Sequence, residues 1–302
     1  MDFLFLMFWL LCLCMKEIWQ HIHSLMPLRD AARAASVSHA FLHSWRHRPN
    51  LTFSFRTVCS INCATDFTKT VDHIMRKHSG IGVKALTIDL DPFYNTKSSS
   101  YLDSWLQIAV TPRIQELTLV LARFTEPIAK SYNFPCSLLS GGSGSLIQLL
   151  HLCCCTFRPT AKLGCFGSLK RLHLISVHIS GDELGCLLSG SLALEQLRLK
   201  HCHEIIYVKV PFLLQQLSYI EVYDCRQLQV IESKAPNVRS LRFTNERVQL
   251  SFGVIAREEH IHAQFQCFMS RFCRASIHFT KPGNCYHCLI WWGMLWWNSL
   301  WL

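Results

Sequence analysis

Charge is scarce in this chain. Asp, Glu, Lys and Arg supply 17% of the 302 residues, against about 25% in ordinary soluble domains. With 50% of residues hydrophobic, a largely disordered protein or a nucleic-acid tail is excluded, because both need dense charge to stay solvated. Long hydrophobic runs are also lacking. Phe3–Met15 is an unbroken run of thirteen apolar residues, and a bilayer core needs roughly 20 in a helix. Cys288–Leu302 holds five of the nine tryptophans but is equally short. The first run has the length of a signal-peptide core, yet Asp2 stands where a positive charge belongs and no small-x-small cleavage pattern follows.

Catalytic signatures are missing too. There is no Gly-x-Ser-x-Gly elbow and no His-Glu-x-x-His. Gly141-Gly142-Ser143-Gly144-Ser145 lacks the Lys-Ser/Thr that completes a phosphate loop, and reads as a flexible insertion. No catalytic residue and no cofactor are therefore predicted. The excess of 30 basic over 20 acidic residues is spread along the chain, which argues against a nucleic-acid partner.

Cysteine is abundant, at 16 residues. The chain is too long for a disulfide-stapled mini-domain and has no clean secretion signal, so most of these should be buried reduced thiols. Cys285 and Cys288 form a lone C-x-x-C with His260 and His262 upstream, but zinc needs a second well-spaced pair, so no metal is predicted. One N-glycosylation sequon is present at Asn50-Leu51-Thr52.

A repeat runs through the middle. The spacing apolar-x-x-apolar-x-apolar occurs at Val83/Leu86/Ile88, Ile114/Leu117/Leu119, Ile147/Leu150/Leu152 and Leu169/Leu172/Leu174. It continues at Leu194/Leu197/Leu199, Leu217/Ile220/Val222 and Val238/Leu241/Phe243. The last four intervals between starts are 22, 25, 23 and 21 residues, inside the 20–29 window of leucine-rich repeats. The first two, 31 and 33, fit repeats with loop insertions. In a short strand, residues two apart point to one side, so the last two positions of each triple enter a core together. Three residues beyond, where the repeat pattern wants Asn or Cys, stand Cys155, Cys202 and Cys225, which are read as structural. Gly181–Leu188 has a helical cap and an apolar stripe suited to the convex side.

The chain thus resembles an irregular leucine-rich repeat solenoid, an α/β horseshoe over about 81–253. The concave strand face is where such solenoids bind partners. Its outward residues are predicted to be Thr87, Thr118, His151, His173, Arg198, Glu221 and Arg242, with Lys200 and Tyr223 at the next outward position. The C-terminal part is mildly basic, interrupted by Glu221, which suits an acidic or phosphorylated target protein.

Residues 17–55 are organised differently. Ile18, Ile22 and Leu25 follow helical spacing up to a break at Met26-Pro27. A second helix is predicted from Leu28 to Ala35 with Asp30 in its first turn, and a third from Ser38, its N-cap, to Trp45, ahead of Pro49. Three short helices cannot bury their own apolar faces and need a partner.

The order Ile18, Ile22, Leu25, Pro27-Leu28-Arg29-Asp30-Ala31-Ala32-Arg33, Val37-Ser38, Phe41, Trp45-Arg46 resembles an F-box. An F-box ahead of leucine-rich repeats is similar to a large plant family of ubiquitin-ligase substrate receptors. The resemblance implies a small three-helix domain docked on a Skp-type adaptor, and through it a cullin, with the repeats selecting the target. It assigns adaptor contact to Ile18, Ile22, Leu25, Pro27, Leu28, Val37 and Trp45. The family usually opens with Leu-Pro where this chain has Cys14-Met15, a departure that predicts weaker docking.

The expected organisation is therefore an apolar leader at 1–16, the F-box-like domain at 17–55, a connecting segment at 56–80, repeats at 81–253 and an irregular Trp/Cys-rich tail at 254–302. Cytoplasm or nucleus is the implied location, with membrane contact open to the apolar ends. The alternative from another class is a membrane-tethered or secreted leucine-rich repeat binding module, suggested by the leader and the sequon.

Overall fold

Local sequence explains the first elements directly. Helix α1 (Leu28–Ala35) has Asp30 in its first turn and Arg33 in its last, 3.8 Å apart, and buries Leu28, Ala31 and Ala35. Helix α2 (His39–Arg46) buries Ser44 and Trp45. The chain then turns through Arg48, whose guanidinium donates to the carbonyls of Met26 at 2.8 Å and Asn50 at 3.2 Å. The buried His78 ring nitrogen Nε2 lies 3.1 Å from the Arg48 carbonyl. The second and third predicted helices are present, within a residue or so of their expected limits.

The computed structural model describes residues 18, 21–22, 25–26, 28–37, 39–58, 67–78, 82–91, 94, 99–122, 131–140, 142, 144–160, 166–244, 248–252, 262–265, 273–281 and 284–292, those from 252 onward by backbone alone. The apolar leader, Pro27 and the Ser38 cap lie outside the described residues. So do the side chains of the C-x-x-C and the tryptophan-rich end. The chain divides into two units, Met1–Ile147 and Gln148–Leu302.

In the first unit, strands β1 (Asn50–Phe53), β2 (Ala85–Asp89) and β3 (Glu116–Val120) run parallel, with Leu51 opposite Leu86 and Leu86 opposite Leu117. Between β1 and β2 come α3 (Phe55–Val58) and α4 (Phe67–Lys77); α5 (Ser99–Ala109) lies between β2 and β3. Phe67, Val71 and Met75 recur every four residues and form the buried stripe of α4. Leu102, Trp105, Leu106 and Ala109 do the same for α5. Trp105 Nε1 donates to Asp72 at 3.3 Å, and Arg76 holds the same carboxylate at 2.8 Å. A short strand β4 (Tyr132–Asn133) and a 3-10 turn (Cys136–Leu139) complete the described part.

In the second unit the parallel ladder comprises β5 (Leu149–Cys153), β7 (Arg171–Ile175), β8 (Gln196–Lys200), β10 (Tyr219–Tyr223), β12 (Ser240–Thr244) and β14 (His262–Phe265). A two-residue strand β6 (Cys155–Thr156) follows β5. The register aligns Leu150, Leu172, Leu197, Ile220 and Leu241 in one row. Every residue of the seven apolar triples is buried, none above 5% exposure. Helix α6 (Gly181–Ser189) opens with a capping box in which Ser180 and Glu183 exchange hydrogen bonds.

Two features depart from the sequence reading. Parallel strand pairing extends beyond 81–253, because β1 pairs with β2 in the first unit and β14 with β12 in the second. At those ends the first apolar anchor is replaced, giving Arg48-x-x-Leu51-x-Phe53 and His260-x-x-Ala263-x-Phe265, so the triple is not recognisable although the strand forms. The connecting segment 56–80 accordingly contains α3 and α4. Second, the far side of the later repeats is a sheet. Strands β9 (Tyr207–Val210), β11 (Val230–Ser233), β13 (Gln249–Phe252) and β15 (Cys273–Lys281) run parallel, and β16 (Asn284–Trp292) closes antiparallel on β15. Repeats of 23 and 21 residues leave too few residues between ladder strands for a helix and its two loops. Alternating, β-branched segments such as Tyr207-Val208-Lys209-Val210 pair instead. Among the described residues no helix is long and apolar enough to cross a membrane.

Four ladder strands of the second unit, β5, β7, β8 and β10, end at the same kind of turn. Cys154, Ser176, His201 and Asp224 are left-handed, with φ of 58°, 51°, 54° and 46°, a conformation costing about 1–2 kcal/mol for a residue other than glycine. The cost is offset by hydrogen bonds. The amides of Cys154, Ser176 and His201 donate to the carbonyls of Ile175, Lys200 and Tyr223 at 2.9, 2.7 and 2.8 Å. The next residue points inward, and there Cys155, Cys202 and Cys225 are buried as predicted. The Cys202 thiol donates to the Leu174 carbonyl at 3.5 Å, and Cys225 to Leu199 at 3.9 Å. A hydrogen bond with Cys225 and burial push the Cys202 thiol up, keeping it protonated at neutral pH. The described cysteines are free thiols, five of them buried.

Candidate functional site

Two surfaces hold the residues singled out from the sequence. The first is the N-terminal helical segment. Ile18, Ile22, Leu25 and Val37 are exposed, Leu25 at 73% and Val37 at 84%. Leu28 and Trp45, by contrast, are buried at 5% and 4%. They build the helical pair and do not present themselves to a partner. Four exposed large apolar side chains over a short stretch are costly in water unless something covers them.

The second is the sheet face opposite the leucine core in the unit 148–302. Alternation along β5, β7, β8, β10 and β12 puts His151, His173, Arg198, Glu221 and Arg242 in one row. Lys200 and Tyr223 stand in the adjoining row, with Lys200 Nζ 5.9 Å from the Tyr223 ring centroid. Thr87 and Thr118 face each other across β2 and β3 in the other unit, half-buried.

The electrostatics of this row differ from a simple basic patch. Glu221 bridges two cations, its carboxylate 3.0 Å from Lys200 Nζ and 3.4 Å from Arg198 Nε. Tyr219, two residues earlier on the same strand, donates to the same carboxylate at 3.3 Å. Arg198 and Arg242 also lie over the Tyr219 ring, at 5.2 and 5.9 Å from its centroid. Arg242 is exposed and has no carboxylate partner among the described ion pairs. His151 and His173 meet edge to face, centroids 5.7 Å apart. Burial, then the Arg198 charge, then His151 and Arg171, push the His173 imidazole down to about 4. Burial and Arg198 lower His151 in the same way. Both rings are therefore neutral at pH 7. Their Nε2 atoms and Arg198 Nε are buried with no hydrogen-bond partner among the described residues, leaving polar capacity that a bound molecule could use.

The turns beyond the strands carry further polar residues that the sequence reading missed. Arg158 reaches Glu183 at 2.9 Å and Glu204 at 2.8 Å, and His178 Nδ1 meets Glu204 at 2.8 Å. His201 Nδ1 lies 2.9 Å from Asp224, and Arg226 Nε 3.6 Å from the same carboxylate. The available signal was positional: His201 and Asp224 each follow the last residue of a repeat strand.

Residues 74–282 match the repeat family described as At1g61320/AtMIF1, LRR domain. The putative F-box/LRR-repeat protein At5g02930 of Arabidopsis thaliana is 22% identical over 263 residues, covering 85% of this chain and 52% of that protein. The putative F-box/LRR-repeat protein At3g18150 of the same plant is 25% identical over 239 residues, covering 78% and 47%. The F-box/FBD/LRR-repeat protein At5g56420, also of that plant, is 26% identical over 182 residues, covering 60% and 41%. The chain spans about half the length, or less, of these relatives. With the strand pairing, the seven buried triples and the matched segment in agreement, the chain belongs to the leucine-rich repeat family of the At1g61320/AtMIF1 kind and is similar to plant F-box/LRR-repeat proteins.

Proposed function

We propose that this chain is the substrate-recognition subunit of an SCF-type ubiquitin ligase and is itself non-catalytic. The observation that carries the reading is the exposed apolar set Ile18, Ile22, Leu25 and Val37 ahead of a leucine-rich repeat ladder, in a chain similar to proteins named for both an F-box and such repeats. These side chains would insert into a Skp-type adaptor, which connects to a cullin. Leu28 and Trp45 support the surface from within. Pull-down of a Skp-type adaptor tests this, comparing the intact chain with Ile22→Asp and Val37→Asp. Adaptor recovered with the intact chain and lost in both variants is expected; no association of the intact chain refutes it.

The sheet face of the second unit is the target-binding surface in this reading. Glu221 already neutralises much of Arg198 and Lys200, so specificity would rest on Arg242, the two neutral imidazoles and the tyrosines, presented to an acidic or phosphorylated segment of the target. Charge reversal at Arg198 and Arg242 should reduce target capture while adaptor binding persists. Target capture that survives both reversals removes the face from the mechanism.

A further inference from the structure

The turns at the ends of β8 and β10 hold a cluster that neither surface uses. His201 and Asp224 are the left-handed residues of consecutive repeats, and His203 follows two positions after His201. All three are half-buried, and one ligand atom from each lies within 4.8 Å of the other two. His201 Nδ1 and Asp224 Oδ2 are 2.9 Å apart. The two imidazoles are steeply inclined, with planes at 74° and centroids 6.3 Å apart, so their nitrogens converge from different directions. His203 Nδ1 accepts a long 3.4 Å contact from the Arg226 amide, too weak to compete with a metal ion for its lone pair.

We propose that His201, His203 and Asp224 form a binding site for a divalent transition-metal ion of the zinc class. Two imidazoles and a carboxylate suit Zn²⁺, Co²⁺, Ni²⁺ or Cu²⁺, whereas Mg²⁺ and Ca²⁺ select oxygen-only shells. Metal–ligand bonds of about 2.0–2.2 Å put tetrahedral donor atoms roughly 3.4 Å apart. Side-chain rotation closes the present spacing to that value without moving the strands, because backbone hydrogen bonds fix both turns: His201 N–H to the Tyr223 carbonyl at 2.8 Å and Asp224 N–H to Thr244 Oγ1 at 2.9 Å. The competing cation is Arg226, whose Nε is 3.6 Å from Asp224 Oδ1, on the other oxygen from the one facing His201. Three protein ligands leave a fourth position for water or for a side chain of a bound partner. The ion would tie the β8 repeat to the β10 repeat, so occupancy stabilises the fold by mass action.

The full chain titrated with Co²⁺ alone, read by visible ligand-field absorption and by thermal unfolding, tests the site. Expected are a single saturable equivalent, displacement by Zn²⁺ and not by Mg²⁺, and a rise in unfolding temperature. Affinity should fall about tenfold or more in Asp224→Asn and in His203→Gln. Because the chain has 16 cysteines, a near-ultraviolet sulfur-to-cobalt band that persists in both variants would assign uptake to thiolates and overturn the site. Absence of saturable uptake, or equal affinity in variants with unchanged circular dichroism, overturns it too. Should Asp224→Asn disturb its turn, His203→Gln decides, since in the described structure the His203 ring accepts only the long Arg226 amide contact.

Discussion

His173 should make this protein acid-sensitive, and the effect is separable from general acid unfolding. Its imidazole sits between His151 and Arg198, with Arg171 two positions earlier on its own strand and Glu221 the one nearby group favouring its protonation. The folded chain holds it near 4 against an ordinary 6.5. Between those values the unfolded chain carries the extra proton, so stability is constant above about pH 7 and falls as pH drops through 6.5 towards 4. A shift of that size would be about 3 kcal/mol if fully expressed. The ring is only partly buried, and solvent screening reduces the expected contribution to about 1 kcal/mol. Urea unfolding of the wild-type chain and His173→Gln, near pH 7.5 and near pH 5, isolates it by difference. The wild type should lose about 1 kcal/mol more than the variant on acidification. Equal losses would show that Arg198 and burial do not suppress protonation at this ring, and the reading of a neutral imidazole pair on the face would fall.

The remaining predictions concern the scaffold. Leu197→Ala, at a fully buried position of the central row, should cost about 2–5 kcal/mol in urea unfolding. Gly181→Ala should cost about 1–3 kcal/mol, because an added Cβ would sit 2.6 Å from the Tyr207 carbonyl oxygen, a backbone atom that cannot rotate away. Ser180→Ala removes half of the α6 capping box and should cost about 1 kcal/mol by the same assay. Val37→Asp, at an 84% exposed position, should change the unfolding free energy by less than about 0.5 kcal/mol. That outcome makes it a clean probe of adaptor contact.

What could be read from the sequence was what backbone spacing determines. The triples from Val83 to Phe243 mark strands because alternation forces two of every three anchors into one core, and the register confirms each of them. The ladder ends were hidden because Arg48 and His260 stand where the pattern needs an apolar anchor. The start of the second sheet was hidden because β9, β11 and β13 are four residues long, too short for alternation to stand out from a loop. Residue types on the outward face were legible, but their partnerships were not. Glu221 interrupts a basic row in the sequence, whereas in the structure its two oxygens hold Lys200 and Arg198. Nothing in local spacing reports that Leu28 and Trp45 are buried while Ile22 and Val37 are not, because that depends on how α1 and α2 pack.

The left-handed turn after β5, β7, β8 and β10 acts as a timing mark for that run of repeats. The intervals between these four repeats are 22, 25 and 23 residues, yet Cys154, Ser176, His201 and Asp224 each fall two residues past the last apolar anchor of their triple. Length variation is therefore absorbed elsewhere in the repeat, and the mark recurs at a fixed distance from the leucine rows. A single codon change there alters one rung of the edge while the leucine rows stay in place. Such an array can diversify what it binds one rung at a time, without renegotiating its fold.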